Sequence, residues 1–159
     1  MIILVHLRIA YVTPRYTPHL GGVEYVVQNF AERLVAKGHD VTVITGEPNG
    51  KRTVEEEANK VKVIRVPTYA PNEAYHVPKD KQALINILND DFDIVHTHSV
   101  HSVISIIPLG IKRSIKSNWK LVMTLHFSTT GYTLLRRAIW EMIWKRYIAG
   151  KLKKMAEHG

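Results

Sequence analysis

The sequence has 159 residues, 45% of them hydrophobic, which is enough for one domain with its own core. It has no cysteine, which excludes disulfides and thiolate chemistry, and no apolar run long enough to span a bilayer. The formal net charge is +8 and it is uneven, since residues 112–159 hold 11 Lys and Arg against two acidic residues. This imbalance favours an anionic partner: a phosphate-bearing ligand, an acidic membrane surface or a nucleic acid.

The predicted elements begin with a βαβ unit. Its parts are a strand at 9–13, a glycine loop at Gly21-Gly22, a helix at 23–35 and a strand at 41–44. The glycine loop lies where a strand ends and a helix begins, so free helix N–H groups there attract anions, phosphates above all. A tight turn without a ligand is the alternative. The spacing is not G-x-G-x-x-G, so the nicotinamide fingerprint is absent.

The next segments alternate between charged loops and apolar runs. Residues 47–60 are predicted to form a surface loop or a short, weak helix, and residues 61–66 a strand that Pro67 ends. Residues 68–78 are predicted to be an irregular loop that either binds a sugar or lipid or simply caps the core. A helix at 79–90 and a short buried strand at 94–97 follow.

The last third continues the alternation. The predicted order is a helix at 100–115 that Pro108 kinks or splits, a strand at 120–125, a loop at 127–132 and a long helix at 134–155. Strands that alternate with helices predict an open parallel sheet with helices on both faces. Ligands bind such sheets at the carboxyl ends of the strands. Gly21-Gly22, residues 96–101 and residues 126–130 all fall on that edge, which indicates a single site.

Four segments, in order, resemble family 4 glycosyltransferases, which have the two-lobed GT-B fold. They are Y-V-T-P-R-Y-x-P-x-x-G-G-V-E (from Tyr11), K-G-H-D-V-T-V-I-T (from Lys37), D-I-V-H-T-H-S (from Asp93) and K-L-V-M-T-L-H (from Lys120). The resemblance implies an α/β, Rossmann-like domain over residues 1–159, with residues 1–7 as an extension. It also implies that this is the N-terminal, acceptor-side lobe, and that the C-terminal donor-binding lobe is absent from the sequence.

The resemblance implies a function as well. The lobe would help transfer a sugar, with retention, from a nucleotide-sugar donor to a hydroxyl of a glycan, lipid or small-molecule acceptor. No metal or cofactor is expected, and the lobe alone is expected to be inactive. The alternative is a non-catalytic, free-standing lobe that docks a donor-binding partner chain. The lack of cysteines and of a signal peptide fits a cytoplasmic protein.

Individual residues acquire expected roles from the same resemblance. His126 is expected to be catalytic, in contact with the sugar and the acceptor, although a histidine that caps a carbonyl is the alternative. Gly21 and Gly22 are expected to face the donor diphosphate. The expected acceptor-binding residues are His98, Arg15, Tyr16 and Ser128. Arg15 can equally be a solvated surface arginine.

Three further features remain open. His96, His98 and His101 can be read as zinc ligands, but the resemblance instead directs His98 to the acceptor cleft, with His96 more buried. Glu24 can be a helix-start residue that suits the helix dipole. The basic, tryptophan-containing helix at 134–155 has two interpretations. It either contacts the cytoplasmic face of an anionic membrane peripherally, or its apolar face packs in the core of the domain. No nucleic-acid motif is present, so no nucleic-acid partner is expected.

Overall fold

The computed structural model describes residues 5–19, 21–112 and 118–126, with the single positions 142, 149, 150 and 153. Residues 1–126 form one compact unit and residues 127–159 another. The four single positions belong to the second unit and are helical. Ser128, the predicted loop at 127–132 and most of the predicted helix at 134–155 therefore lie outside the described residues.

The first unit is built around a mostly parallel sheet. Its strands are β1 (Arg8–Thr13), β2 (Asp40–Glu47), β3 (Val54–Ala58), β4 (Val61–Tyr69), β5 (Val77–Pro78), β6 (Ile94–His98) and β7 (Lys120–Thr124). Its helices are α1 (Gly22–Ala36), α2 (Lys81–Leu88), α3 (Val103–Ile111) and a 3-10 turn at Pro71–Glu73. The sheet order is β3-β4-β2-β1-β6-β7, and β5 pairs with β4 off this path. This confirms the predicted α/β, Rossmann-like fold.

Strand β1 divides the core into two layers because successive side chains point to opposite faces of a sheet. Ile9 and Tyr11 pack with Val27 of α1 on one face. Ala10 and Val12 pack on the other face in a cluster that includes residues of α2 and α3. The predicted placement of helices on both faces is therefore confirmed.

The prediction for residues 47–60 is wrong, because part of this charged segment is strand β3. It pairs antiparallel with β4, and the carboxylate of Glu55 lies 3.0 Å from the Lys62 ammonium. Glu56 lies 2.7 Å from the guanidinium of Arg65 in the same way. Acidic residues form this edge strand because the neighbouring strand supplies cations at diagonal positions: Glu55 lies opposite Ile64 and Glu56 opposite Val63, each two residues from its cation. That cross-strand partner is not visible in a single segment of sequence.

Two proline predictions also need correction. Strand β4 does not end at Pro67 but continues to Tyr69. The proline is tolerated because it removes only a donor: β3 pairs with β4 only as far as Arg65, and the carbonyl oxygen of Pro67 still accepts from the N–H of Lys79 at 2.9 Å. Pro108 does not split the helix at 100–115, since it lies inside the single helix α3. Residues 113–117 of that prediction lie outside the described residues.

Candidate functional site

The candidate site lies where strands β6 and β7 end side by side. The two strands are parallel and paired so that His98, the last residue of β6, lies opposite Thr124, the last residue of β7. His126 follows two residues later. Its Nε2 atom lies 3.0 Å from Nδ1 of His98, and the two rings are stacked with centroids 5.3 Å apart. The predicted meeting of these two segments at one edge of the sheet is confirmed.

Two more histidines complete what we call the histidine cluster (His96, His98, His101 and His126). The rings of His96 and His98 lie 4.3 Å apart, as expected for positions i and i+2 of a strand. Nε2 of His96 lies 2.8 Å from the Thr124 hydroxyl. Nε2 of His101 lies 3.1 Å from the carbonyl oxygen of His126. The cluster therefore contacts both the side chain and the backbone of His126.

Burial makes the whole histidine cluster harder to protonate. It lowers the pKa of His96, His101 and His126 and, together with the neighbouring His96 and His126, lowers that of His98 to about 3. The negative charge of Glu24 partly opposes this effect at His126. Near neutral pH the cluster is therefore uncharged, and it acts through hydrogen bonds rather than positive charge.

The expected burial order of the strand histidines is wrong. His98 is fully buried, whereas His96 is only partly buried. The rings of Tyr11 and His96 lie against His98, with centroids 5.6 Å and 4.3 Å away. His98 therefore has no exposed surface with which to touch an acceptor. Its ring nitrogen Nδ1 instead contacts His126.

The glycine loop places its two glycines in different surroundings. Gly21 precedes α1 with extended backbone, and no described side chain caps the helix there. A Cβ at Gly21 would collide with the carboxylate of Glu24. A Cβ at Gly22 would meet nothing within 4 Å. Gly21 thus makes room for Glu24, whereas Gly22 borders open space in which a ligand can come close to the backbone.

Glu24 has more than a helix-start role. Its residue is 6% exposed, and its Oε1 atom accepts a hydrogen bond of 3.0 Å from Nε of Arg15. Arg15 also contacts Glu73, with Nη1 2.8 Å from Oε2. Arg15 is therefore not a free surface arginine but the centre of a three-residue ion-pair network. Sequence reasoning named Glu24 but missed Glu73, because 49 residues separate them along the chain.

The structure does not place Tyr16 at the site, in contrast to the expected acceptor contact. Tyr16 is fully buried and packs in the core layer under α1. Burial raises its pKa to about 12, with a smaller contribution from Glu32. Its hydroxyl has no hydrogen-bond partner among the described residues. An aromatic residue in a glycine loop packs inward here because the helix that follows covers it.

The loop at residues 68–78, for which the sequence left two interpretations open, caps the start of α3. The carbonyl oxygen of Tyr75 accepts from the backbone N–H of Val103 at 2.6 Å, and that of His76 accepts from Ile104 at 3.1 Å. Tyr75 and His76 both adopt positive φ to reach these positions. The cap-the-core interpretation of residues 68–78 therefore fits this part of the loop.

The described part of the chain holds neither a metal-binding cluster nor a membrane-spanning helix. Among these residues, no group of three or more His, Cys, Asp and Glu is arranged to hold a metal ion. The zinc interpretation of His96, His98 and His101 thus gains no geometric support there. The described helices also include none that is long and apolar enough to cross a membrane.

The fold and site define a Rossmann-like α/β domain with a polar site at the carboxyl edge of its sheet. The model of the family described as Glycosyltransferase Family 4 matches residues 20–155, so the chain belongs to glycosyltransferase family 4. This confirms the resemblance noted in the sequence. A comparison with curated proteins gave no match.

A solved structure supports the fold. The chain is similar to the catalytic domain of starch synthase IV from Arabidopsis thaliana, a structure bound to ADP and acarbose. The TM-score is 0.54 at 15% sequence identity, over 77% of this chain and 34% of that chain. At this identity the likeness shows the fold alone. The chain spans about a third of the length of that catalytic domain.

Proposed function

We propose that this chain is the acceptor-side lobe of a retaining glycosyltransferase. The reaction is the transfer of a sugar from a nucleotide-sugar donor to an acceptor hydroxyl of a glycan, lipid or small molecule. The observation that carries the proposal is the contact between His126 and His98 at the carboxyl edge of a family 4 sheet. Open α/β sheets bind their ligands at this edge.

The glycine loop is the proposed contact for the donor diphosphate. The first turn of α1 has no side-chain cap among the described residues, and Gly22 borders open space. Helix N–H groups left in this way bind phosphate well. Arg15 neutralises the nearby carboxylate of Glu24, which would otherwise repel an anion. Arg15 is thus proposed to act on the donor through Glu24 rather than to bind an acceptor directly.

His126 is the proposed catalytic residue, in contact with the transferred sugar and the acceptor. It is partly exposed, uncharged near neutral pH and fixed by two other histidines. Such a group can hydrogen-bond a sugar oxygen without first losing a strongly bound hydration shell. Ser128 is proposed to contribute to the acceptor side. We expect no metal or cofactor in the reaction. We propose that the protein acts in the cytoplasm or at the cytoplasmic face of a membrane.

A second lobe is required to bind most of the nucleotide sugar. The similar structure, of which the chain covers 34%, was determined with ADP bound. We propose that the donor-binding lobe of this system is either a continuation of the chain or a partner chain. The intact mass of the native protein separates these cases. A mass near the 18.2 kDa of this sequence would indicate a partner chain or the non-catalytic docking role.

The test is sugar transfer by the lobe joined to, or mixed with, its donor-binding lobe. His126→Ala should lower kcat/KM by about 10²–10³-fold, the range for loss of one positioned hydrogen-bond donor in an active site. His6→Ala is the matched control, since His6 lies beside Asp40 at the opposite, amino end of the strands. Unchanged turnover in His126→Ala would remove His126 from the mechanism.

A further inference from the structure

The contact between His98 and His126 constrains which ring nitrogens of the two histidines carry a proton. Both rings are uncharged near neutral pH, so one nitrogen of the pair Nδ1 (His98) and Nε2 (His126) must carry the proton and the other must accept. The other ring nitrogen of His98, Nε2, is buried and has no partner among the described residues. The two possible arrangements therefore differ in what they leave buried at this atom.

One arrangement leaves a buried N–H without an acceptor. If Nε2 of His126 donates, Nδ1 of His98 must accept, and the proton of His98 then lies on its unpartnered Nε2. If instead Nδ1 of His98 donates, its Nε2 carries only a lone pair. Orphaned buried N–H groups are rarer in folded proteins than unsatisfied acceptors, so the second arrangement is favoured. It leaves the proton of His126 on Nδ1.

We propose that His98 is a positioning residue whose Nδ1–H holds His126 in the Nδ1–H tautomer, so that His126 presents a hydrogen-bond donor to an oxygen of the bound sugar substrate. The last clause rests on the proposed function, whereas the tautomer does not. In this arrangement His126 binds a hydroxyl or phosphate oxygen and abstracts no proton, because its second nitrogen is already occupied by His98.

Three further ionisable groups act on His126. His101 contacts the carbonyl oxygen of His126, which can only accept, so Nε2 of His101 carries a proton and fixes the His126 backbone. Glu24, whose carboxylate is paired with Arg15, opposes the lowering of the His126 pKa. His96 is the remaining cluster member, and its pKa is lowered in part by His126.

The first experiment measures the tautomer directly. The whole chain is labelled with ¹⁵N in its histidine rings, and the His126 signals are assigned by their loss in His126→Asn. Above pH 7 we expect Nδ1 of His126 to be protonated and Nε2 to be unprotonated, with Nδ1 of His98 protonated. A protonated Nε2 on His126 would overturn the proposal. No substrate is needed, so this result is independent of the proposed function.

The second experiment uses a matched pair of substitutions in the complete two-lobed system. The side-chain amide nitrogen of Asn can occupy the place of Nδ1 of His98, so His98→Asn should retain kcat/KM within about threefold. His98→Leu fills the space without a donor and should lose about 10²-fold, as for a misplaced catalytic group. It should also shift the His126 tautomer.

The outcomes separate the two proposals. Equal activity of the two variants with an unchanged tautomer would overturn the positioning role. If His98→Leu does not fold, the tautomer of the wild-type chain still decides. If the wild-type system shows the expected tautomer but transfers no sugar, the proposed function fails and the hydrogen-bond assignment stands.

Discussion

Helices α1 and α3 begin at the same edge of the sheet but are closed in different ways. Each follows a parallel strand, β1 or β6; Glu24 lies in the first turn of α1, and His101, just before α3, contacts His126. The first turn of α3 is filled by backbone carbonyls of Tyr75 and His76, and the Ser102 hydroxyl adds a bond of 3.1 Å to Tyr75. The first turn of α1 begins at Gly21 without a described side-chain cap.

This difference indicates which helix start is built for a ligand. A helix whose first N–H groups already have acceptors gains little from an anion, whereas an uncapped one still needs acceptors. Helix α2 resembles α3 in this respect, because the Asp80 side chain accepts from the N–H groups of Gln82 and Ala83. Of these three helices, α1 is therefore the one we propose to face the donor.

A large effect on stability is expected in acid, through the buried side chain of His98. Burial gives His98 a pKa of about 3, below the ordinary 6.5, so the unfolded chain binds more protons below pH 6.5. The stability that His98 contributes above pH 6.5 is therefore lost as pH falls, by about 2 kcal/mol between pH 7 and pH 5. His76, whose pKa burial also lowers, acts in the same direction. Urea unfolding at the two pH values measures this loss.

His98→Asn supplies the control for acid destabilisation. An amide does not titrate in this range, so the variant should lose about 2 kcal/mol less than the wild type over the same interval. Equal losses in both proteins would mean that His98 is not the buried group that titrates.

Gly46→Ala should displace the His76 segment, which caps the start of α3, because the new Cβ crowds it. A Cβ there would lie 2.6 Å from Nδ1 of His76 and 2.9 Å from the carbonyl oxygen of Pro14. Because Pro14 contributes backbone, the contact cannot be relieved by a side-chain rotation, and overpacking of this kind costs about 1–3 kcal/mol. Hydrogen exchange should also become faster at Val103 and Ile104. Unchanged exchange at these amides would show that the His76 segment does not close α3.

Asp80→Ala tests the cap of α2. Loss of its two side-chain hydrogen bonds should cost about 1 kcal/mol of unfolding free energy. Donor affinity in the two-lobed system should not change, because this cap is structural. A loss of donor affinity without a loss of stability would contradict the contrast between α2 and α1.

Gly22→Ala gives the smallest effect on stability and the most specific one on binding. The new Cβ meets nothing within 4 Å. Because alanine lowers the conformational entropy of the unfolded chain, the free energy of unfolding should rise by about 0.4–1 kcal/mol. Donor binding, measured by calorimetry in the two-lobed system, should nevertheless weaken because the methyl group occupies the proposed diphosphate space. Increased stability with unchanged donor affinity would mean that the donor does not bind at the glycine loop.

Hydrophobic periodicity was sufficient to predict most of the fold. The apolar runs at β1, β2, β4, β6 and β7 and the helical spacing in α1 and α2 each reflect local burial, which the chain shows residue by residue. Strand β3 was missed because its acidic residues are stabilised by Lys62 and Arg65 on the facing strand. The continuation of β4 past Pro67 depended in the same way on a neighbouring strand, because Thr68 and Tyr69 pair with β5.

The sequence by itself determined the family, the alternation of the main strands and helices, and the edge of the sheet at which the candidate site lies. It could do so because strand ends and glycine loops are local features, and a parallel sheet brings its carboxyl ends together. Only the tertiary structure decided that Tyr16 packs in the core, that Arg15 joins Glu24 to Glu73, and that His98 is buried beneath His126. These outcomes depend on contacts between distant residues, and burial and hydrogen-bond partners are properties of such contacts.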